Sequence, residues 1–478
     1  MLLQSAPVLP ETLDNNNTVE ICLNSRYSFH QGYSNTTNAS TNQVIANALW
    51  ATACAPLIAK ERIIYVSLAD NLYRYKFKNG SHNLEVHLTG NKRTESVAAF
   101  EIGVATDPEE AVEDAGAALH WAQLASVAFW KSEKPACCPK DSATTAANKA
   151  WSPASKLHLV NCYGLAGSVA GLKTTLAAVS SDKSLSDPVI SGGKVSLETA
   201  MKEPLFGTSF TDMDVTAAEI SQILWAAYGC TPHSIGSTAC NTVASWNAKY
   251  FISGKIYLMS KSGVQKFHIH KTVSDLSSKE HRLESLSKDD SRSKLRTALS
   301  RLPQTAPVYI VFCGTDAVRE QLIEAGYCGS SALLQTTALG LQGHYCGQLT
   351  QAERNAIQQA CGIASADVPL LVFSAGHAAG TRIGSGGYRP SVATLQLSAT
   401  PNPFRHFTRI TSSAFTNGTT TIRIHDGLGK LVRTLVPPHS DSFIWDGRDH
   451  RGNAVPPGMY IGVISDNGFD RGIAIRKL

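Results

Sequence analysis

The chain has no run of apolar residues approaching the about 20 that a membrane-spanning helix needs. It also lacks any Cys-x-x-Cys pair and any Cys/His cluster at zinc spacing. The eleven cysteines are an odd count, so neither a zinc site nor a complete disulfide framework is implied. The adjacent Cys137 and Cys138 read as inert thiols or an incidental pair rather than redox chemistry. Charge is sparse at 17%, and the net +5 is spread along 478 residues. The densest basic stretch, residues 279–301, also carries Glu280, Glu284, Asp289 and Asp290, which makes it a solvated face or loop and excludes a nucleic-acid stripe. The opening MLLQSAPVLPETLDNNN has neither a basic start nor an apolar core, so no signal peptide is expected. What is present is ordinary globular material, 43% hydrophobic, long enough for two to four domains.

An internal repeat organises most of it. QVIANALWATACAP (43–56) precedes the alternating pattern RIIYVSLADNLYRYKF (62–77), and EISQILWAAYGCTPH (219–233) precedes GKIYLMSKSGVQKFHIH (254–270). Each pair predicts an amphipathic helix followed by a hairpin, turning at Asp70 and Asn71 or at Ser262 and Gly263. AAFEIGVATDPEEA (98–111) then lines up with APVYIVFCGTDAVREQ (306–321), a buried strand ending in a Thr-Asp cap. Last come two apolar helices, DAGAALHWAQLASVAFW (114–130) and EAGYCGSSALLQTTALGLQG (324–343).

On these residues the chain resembles the nitroreductase family. The segment 187–229, GGKVSLETA through LFGTSF to QILWAAYG, is similar to the opening of the family's SagB-type branch, where an Arg-Arg-Ser turn leads into a helix ending in Leu-Leu-Trp-Ala-Ala. TVASWNAKY (242–250) resembles that branch's Pro-Ser-Ala-Gly-Ala-x-Tyr-Pro segment. The resemblance implies an α+β fold in which two tandem flavin-fold copies, residues 1–183 and 184–390, form an intrachain pseudo-dimer.

The resemblance also implies FMN, a cofactor with a phosphate dianion, a ring face needing apolar cover and ring edges needing hydrogen-bond donors. Carried onto this chain, the phosphate turn keeps Arg26 and Ser28 in the first copy, whereas Pro204, Leu205 and Phe206 replace it in the second. The second copy keeps Ser245 and Asn247 of the Pro-Ser segment, the turn Gly340 to Gly343, and the late basic residue Arg382. One composite site would join Arg26 and Ser28 to Ser245; the other would hold Gly340, Gly343 and Arg382. Losing two charge-assisted phosphate bonds costs on the order of 3 to 6 kcal/mol, so FMN is expected at one interface site at most. Helix termination competes with a ring contact as the reason for Gly340 and Gly343. His344, His377 and Tyr327 stand close enough in sequence to these segments to be candidates for proton delivery.

From about Thr400 the texture changes to short alternating strands. Asp426, Gly429, Val432 and Arg433, then Trp445 to Asp449 with Gly452, then Pro457 to Tyr460, resemble the Ig-like module of flagellar hook-capping proteins and exported bacterial tails. This predicts a small all-β sandwich over 400–478 with Trp445 and Tyr460 as core anchors, positive-φ turns at Gly429, Gly447 and Gly452, and turn capping rather than metal binding by Asp446 and Asp449. The module implies an extracellular or cell-surface location. The expected function is an FMN-dependent oxidoreductase acting on a small molecule or peptide; the alternative is a surface-associated structural or binding protein that has lost the flavin.

Overall fold

The computed structural model describes residues 17–26, 33–34, 39–78, 81–95, 98–129, 134–139, 141–166, 172–174, 185–235, 238–245, 249–269, 280–379, 397–412, 421–426, 430–435, 442–466 and 469–478. The chain divides into two compact units, Met1–Ala379 and Gly380–Leu478.

The first half of unit 1 contributes α1 (Val19–Ser25), β1 (Tyr33–Ser34), α2 (Ala39–Cys54), β2 (Glu61–Ser67), β3 (Asn71–Lys78), β4 (Ser81–Thr89), β5 (Phe100–Asp107), α3 (Val112–Phe129), β6 (Lys134–Pro139), α4 (Asp141–Ala150), β7 (Leu159–Ala166) and β8 (Leu172–Thr174). The second half contributes α5 (Leu197–Lys202), α6 (Ala217–Tyr228), β9 (Cys230–Ile235), β10 (Thr238–Asn241), β11 (Ile256–Ser260), β12 (Gly263–His268), β13 (Arg282–Ser287), α7 (Arg292–Ala298), β14 (Val308–Gly314), α8 (Arg319–Ala338), β15 (Gln342–Cys346), α9 (Gln351–Cys361) and β16 (Val368–Gly376).

The two large sheets share a strand order. One runs β4-β3-β2-β5-β7, with β1 and β6 both pairing to β7; the other runs β13-β12-β11-β14-β16-β15. Every pairing in both is antiparallel. The central strands β5 and β14 are buried almost throughout; β14 is apolar from Val308 to Cys313, while β5 carries one buried carboxylate, Glu101, which accepts the Thr94 and Glu95 N–H groups. A third small sheet, β10-β9-β8, joins the halves.

A single core fills the space between the two large sheets and draws on residues from Val19 to Ala375. Its axis is the seam between α3 and α8. Both helices are sealed from solvent, α3 from Val112 to Ser126 and α8 from Gln321 to Thr337, their few polar side chains included. Glycine lets their backbones touch: a Cβ on Gly116 would fall 2.4 Å from the Ile323 carbonyl, and one on Gly326 would fall 2.1 Å from that of Glu113. Trp121 Nε1 donates to the Ser330 carbonyl (3.3 Å), and His120 Nε2 shares a 2.7 Å hydrogen bond with Ser331 Oγ. Outside the sheets, Ala143, Ala147 and Trp151 cover one outer face, while Leu295, Leu299, Ile357 and Cys361 cover the other.

Local signals explain the helix ends. Thr216 with Glu219 and Thr350 with Glu353 are capping boxes opening α6 and α9, and Gly362 closes α9 in the left-handed conformation. The helix expected to end in Leu-Trp-Ala runs Ala217–Tyr228, and the chain continues as β9, where β-branched Thr231 and Ile235 suit a strand. The basic stretch expected as a solvated face or loop forms β13 and α7, both largely solvent-facing, with charges in pairs such as Arg282 with Glu280 (2.8 Å) and Arg292 with Asp290 (2.6 Å).

Unit 2 contributes β17 (Leu397–Thr400), β18 (Thr408–Ser412), β19 (Thr421–Asp426), β20 (Leu431–Leu435), β21 (Ser442–Trp445), β22 (Gly458–Asp466) and β23 (Phe469–Lys477). They form sheets β17-β18-β21 and β20-β19-β22-β23 around a common core. Trp445 is fully buried at its centre, edge-on to Tyr460 at 5.1 Å. Gly447 and Gly452 have positive φ; Gly429 lies outside the described residues. Asp449 accepts the N–H groups of Arg451 and Asn453, and Asp446 accepts the Arg448 N–H (3.1 Å) as well as the Arg433 guanidinium (2.8 Å), so both carboxylates serve turns.

Candidate functional site

Arg26 ends α1 and reaches across the chain to the loop that follows β10. Its Nε donates to the carbonyl of Thr242 (2.9 Å) and its Nη2 to those of Asn241 (2.7 Å) and Val243 (3.0 Å). The side chain is buried, so the bonds form in a low-dielectric setting where a guanidinium needs such acceptors. The structure therefore brings Arg26 beside the Ser245 segment, with Nε and Nη2 engaged by main chain.

Buried polar atoms gather around this junction. Oδ1 and Nδ2 of Asn241, Nδ1 of His120 and Oδ1 of Asn24 have no hydrogen-bond partner among the described residues. Burial first, and the Arg26 charge second, push His120 well below the usual histidine range, so its imidazole is neutral. Tyr327 packs against its ring at 5.2 Å.

Ser245 is engaged on both sides. Its hydroxyl donates to Glu324 Oε2 (2.7 Å) and accepts from the Tyr250 N–H (2.6 Å). Glu324, buried on α8, also accepts from Tyr228 OH (2.5 Å) and the Ile252 N–H (3.0 Å). Burial raises its carboxyl above the ordinary range while these three donors pull it back. On α3, Asp114 accepts the Ile58 N–H (2.9 Å) and a two-pronged contact from Arg62 at 2.8 Å on each oxygen. Its neighbour Glu113 accepts the Gln348 N–H (2.9 Å), and burial pushes it up to about 7.

The glycine turn after α8 is held from within. Gly340 adopts positive φ and donates to the Thr337 carbonyl (3.0 Å), and Leu341 donates to that of Thr336 (2.8 Å). Gly343 stands in β15 and donates to the Leu205 carbonyl (2.8 Å), while Gly207 donates back to the Gly343 carbonyl (3.0 Å). A Cβ on Gly343 would meet Phe373 at 2.7 Å and Thr336 at 2.8 Å. Pro204 to Gly207 thus runs as a strap along the edge of β15, with Phe206 against His344 (4.7 Å) and Tyr345 (5.5 Å). Strand alternation turns Tyr345 to the core containing α8 and His344 to the opposite face with Cys346. Tyr327 and His344 are consequently separated by the sheet. Burial lowers His344 to about 4, and His377 Nε2 faces the Asp214 carbonyl at 3.3 Å. Ser28, Asn247 and Arg382 lie outside the described residues.

Residues 209–377 match the family model described as "Nitroreductase family". This segment is a Nitroreductase family domain. Among solved structures, a putative nitroreductase from Anabaena variabilis ATCC 29413 is similar at 12% identity and TM-score 0.53, over 79% of this chain and 94% of that one. At that identity the likeness is one of fold. A putative nitroreductase from Ralstonia eutropha JMP134 aligns at 19% identity over 45% of this chain and 93% of that one, TM-score 0.33. The NADPH:FMN oxidoreductase of Vibrio harveyi, complexed with NAD+, aligns at 15% over 40% and 70%, TM-score 0.26. No curated protein sequence matches the chain.

For the nitroreductase domain, FMN is the cofactor to test against the residues present. At the Arg26 junction the fit is to a ring edge, since the Asn241 amide offers a donor and an acceptor and His120 Nδ1 a further polar contact. At the glycine turn the N–H groups of Gly340, Leu341 and Gly343 already serve helix termination and the strap. Sequence reasoning named Arg26 and Ser245 but passed over Asn241, His120 and Glu324. The available signal was an acidic residue at each of two aligned places in buried helices, Asp114 and Glu324, each followed by Ala-Gly.

Proposed function

We propose that the chain is a flavin-dependent oxidoreductase of nitroreductase type, made of two tandem copies that pair as a pseudo-dimer and an Ig-like tethering module over 400–478. The match of residues 209–377 to the family carries the reading. The common strand order of the two large sheets and the α3/α8 seam support the tandem arrangement. Bound FMN would supply hydride transfer to and from a small-molecule or peptide substrate. Arg26 holds the 241–245 loop against the first half, Asn241 and His120 present polar atoms to the ring edge, and the neutral state of His120 keeps a second positive charge away from Arg26. The α3/α8 core excludes water behind them. The likeness of the tail to exported modules supports an extracellular or surface location, to be checked by labelling intact source cells.

The rival reading, a non-catalytic binding protein on a nitroreductase scaffold, is favoured by one observation. Pro204, Leu205 and Phe206 occupy the phosphate turn of the second half, and Leu205 accepts the Gly343 N–H. Absorbance of the purified chain near the flavin bands, before and after FMN at tens of micromolar, separates the two. Yellow protein or saturable uptake is expected; a colourless chain that takes up none sinks the enzyme reading.

A further inference from the structure

We propose that Glu324 is a positioning residue that sets residues 241–245 and 249–252, and with them Asn241 and Ser245, for the ring-edge contacts; the proposal rests on the flavin reading above. Its carboxylate touches the end of α6, the middle of the 241–252 stretch and its end. Tyr228, the last residue of α6, donates to Oε1 at 2.5 Å; Ser245 donates to Oε2 at 2.7 Å; the Ile252 N–H donates to Oε1 at 3.0 Å. Ser245 extends the grip by accepting the Tyr250 N–H at 2.6 Å, which supports Tyr250 in its positive-φ conformation. The far side of the loop is pinned by Arg26 at Asn241, Thr242 and Val243. Held from both sides, these segments fix the backbone that carries the Asn241 amide, the preorganisation that a ring-edge contact needs.

The comparison with α3 shows why Glu324 does more than fasten a helix. Asp114 occupies the aligned place and also accepts an N–H from the segment before the first core strand, Ile58 there and Ile252 here. Asp114 is balanced by Arg62, which additionally bonds the carbonyls of Thr52, Ala55 and Pro56 at the end of α2. Aligning Ile64 and Tyr65 with Ile256 and Tyr257 puts Gly254 where Arg62 stands, and among the described residues Glu324 has no ion-pair partner. Lys255 acts on Glu324 only from beyond ion-pair distance, and a buried carboxylate without a close cation is a costly way to stabilise a fold. Two of its three donors are instead the Ser245 hydroxyl and the Ile252 N–H, from the region that meets Arg26, and the third is Tyr228 OH at the end of α6.

The test uses the full chain and three variants, Glu324→Gln, Ser245→Ala and Asp114→Asn. Glutamine keeps the size of Glu324 but its Nε2 cannot accept the Ser245 hydrogen. Amide exchange of the cofactor-free protein should show Tyr250 and Ile252 losing at least tenfold protection in Glu324→Gln and Ser245→Ala, with the centre of α8 unchanged. In FMN titrations read by flavin fluorescence and difference absorbance, both variants should weaken binding about tenfold or more and alter the bound-flavin spectrum, with no further loss when combined. Asp114→Asn should lower the melting temperature while leaving the spectrum as in the parent. Unchanged exchange at Tyr250 and Ile252, or parental affinity and spectrum in Glu324→Gln, overturns the positioning role. If the parent takes up no FMN, the flavin reading fails, and the exchange experiment still decides whether Glu324 sets the loop.

Discussion

Glu113 shows how one residue's surroundings can be turned into a measurable pH dependence. It sits at the start of α3, where Gly347 approaches its carboxyl and the Gln348 N–H bonds it, with Arg354 and Asp114 as the charges acting on it. Burial raises the folded-state value from 4.5 to about 7. Between those values the folded chain binds more protons than the unfolded one, so this group's contribution is full at low pH and is lost as pH rises toward 7. The difference is on the order of 3 kcal/mol. Glu113→Gln should therefore flatten the fall in melting temperature between pH 5 and 8 and leave the variant more stable than the parent at pH 8. Parallel melting curves for the two across that range would contradict it. Of the site residues, Arg26 could be named from its own sequence neighbourhood, but its partners lie more than two hundred positions away, and the commitment of Nε and Nη2 to their carbonyls exists only in the folded chain.

At the scale of elements, periodicity and capping located the main helices and the hairpins, because those signals are local. The turn at Gly340 was also legible, but β15 after it was not, since a five-residue strand with a glycine at its second position forms only by pairing with β16 and the strap. That pairing decides which face His344 occupies. The α3/α8 seam yields a sharper expectation. Helix propensity alone favours Gly→Ala by about 1 kcal/mol, yet a methyl at Gly326 would collide with the backbone of Glu113. Gly326→Ala should then destabilise unit 1 by roughly 1 to 3 kcal/mol, seen as a lowered denaturant midpoint. A stabilised variant would show that the helices can part at small cost.

For the whole molecule, the two units carry separate cores, one reaching from Val19 to Ala375 and one built on Trp445. Trp445→Ala should cost unit 2 about 3 to 5 kcal/mol, while the melting of unit 1 and any FMN uptake stay as in the parent. Calorimetry of the full chain checks this, and a single shifted transition would show that the units melt together. The expected boundary near residue 183 marks no division between compact units, because α1, β8 and the seam stitch the two halves into one core. Composition, the repeat and the Gly and Trp landmarks of the tail were enough by themselves to set the α+β character, the sheet-forming segments and the change of texture near Thr400, since each depends on neighbours along the chain. Only tertiary structure decided that Arg26 meets Asn241, that Glu324 gathers Tyr228, Ser245 and Ile252, and that the glycine turn spends its N–H groups internally. Those are contacts between segments distant in sequence, where burial makes a hydrogen-bond partner obligatory without saying in advance which one it will be.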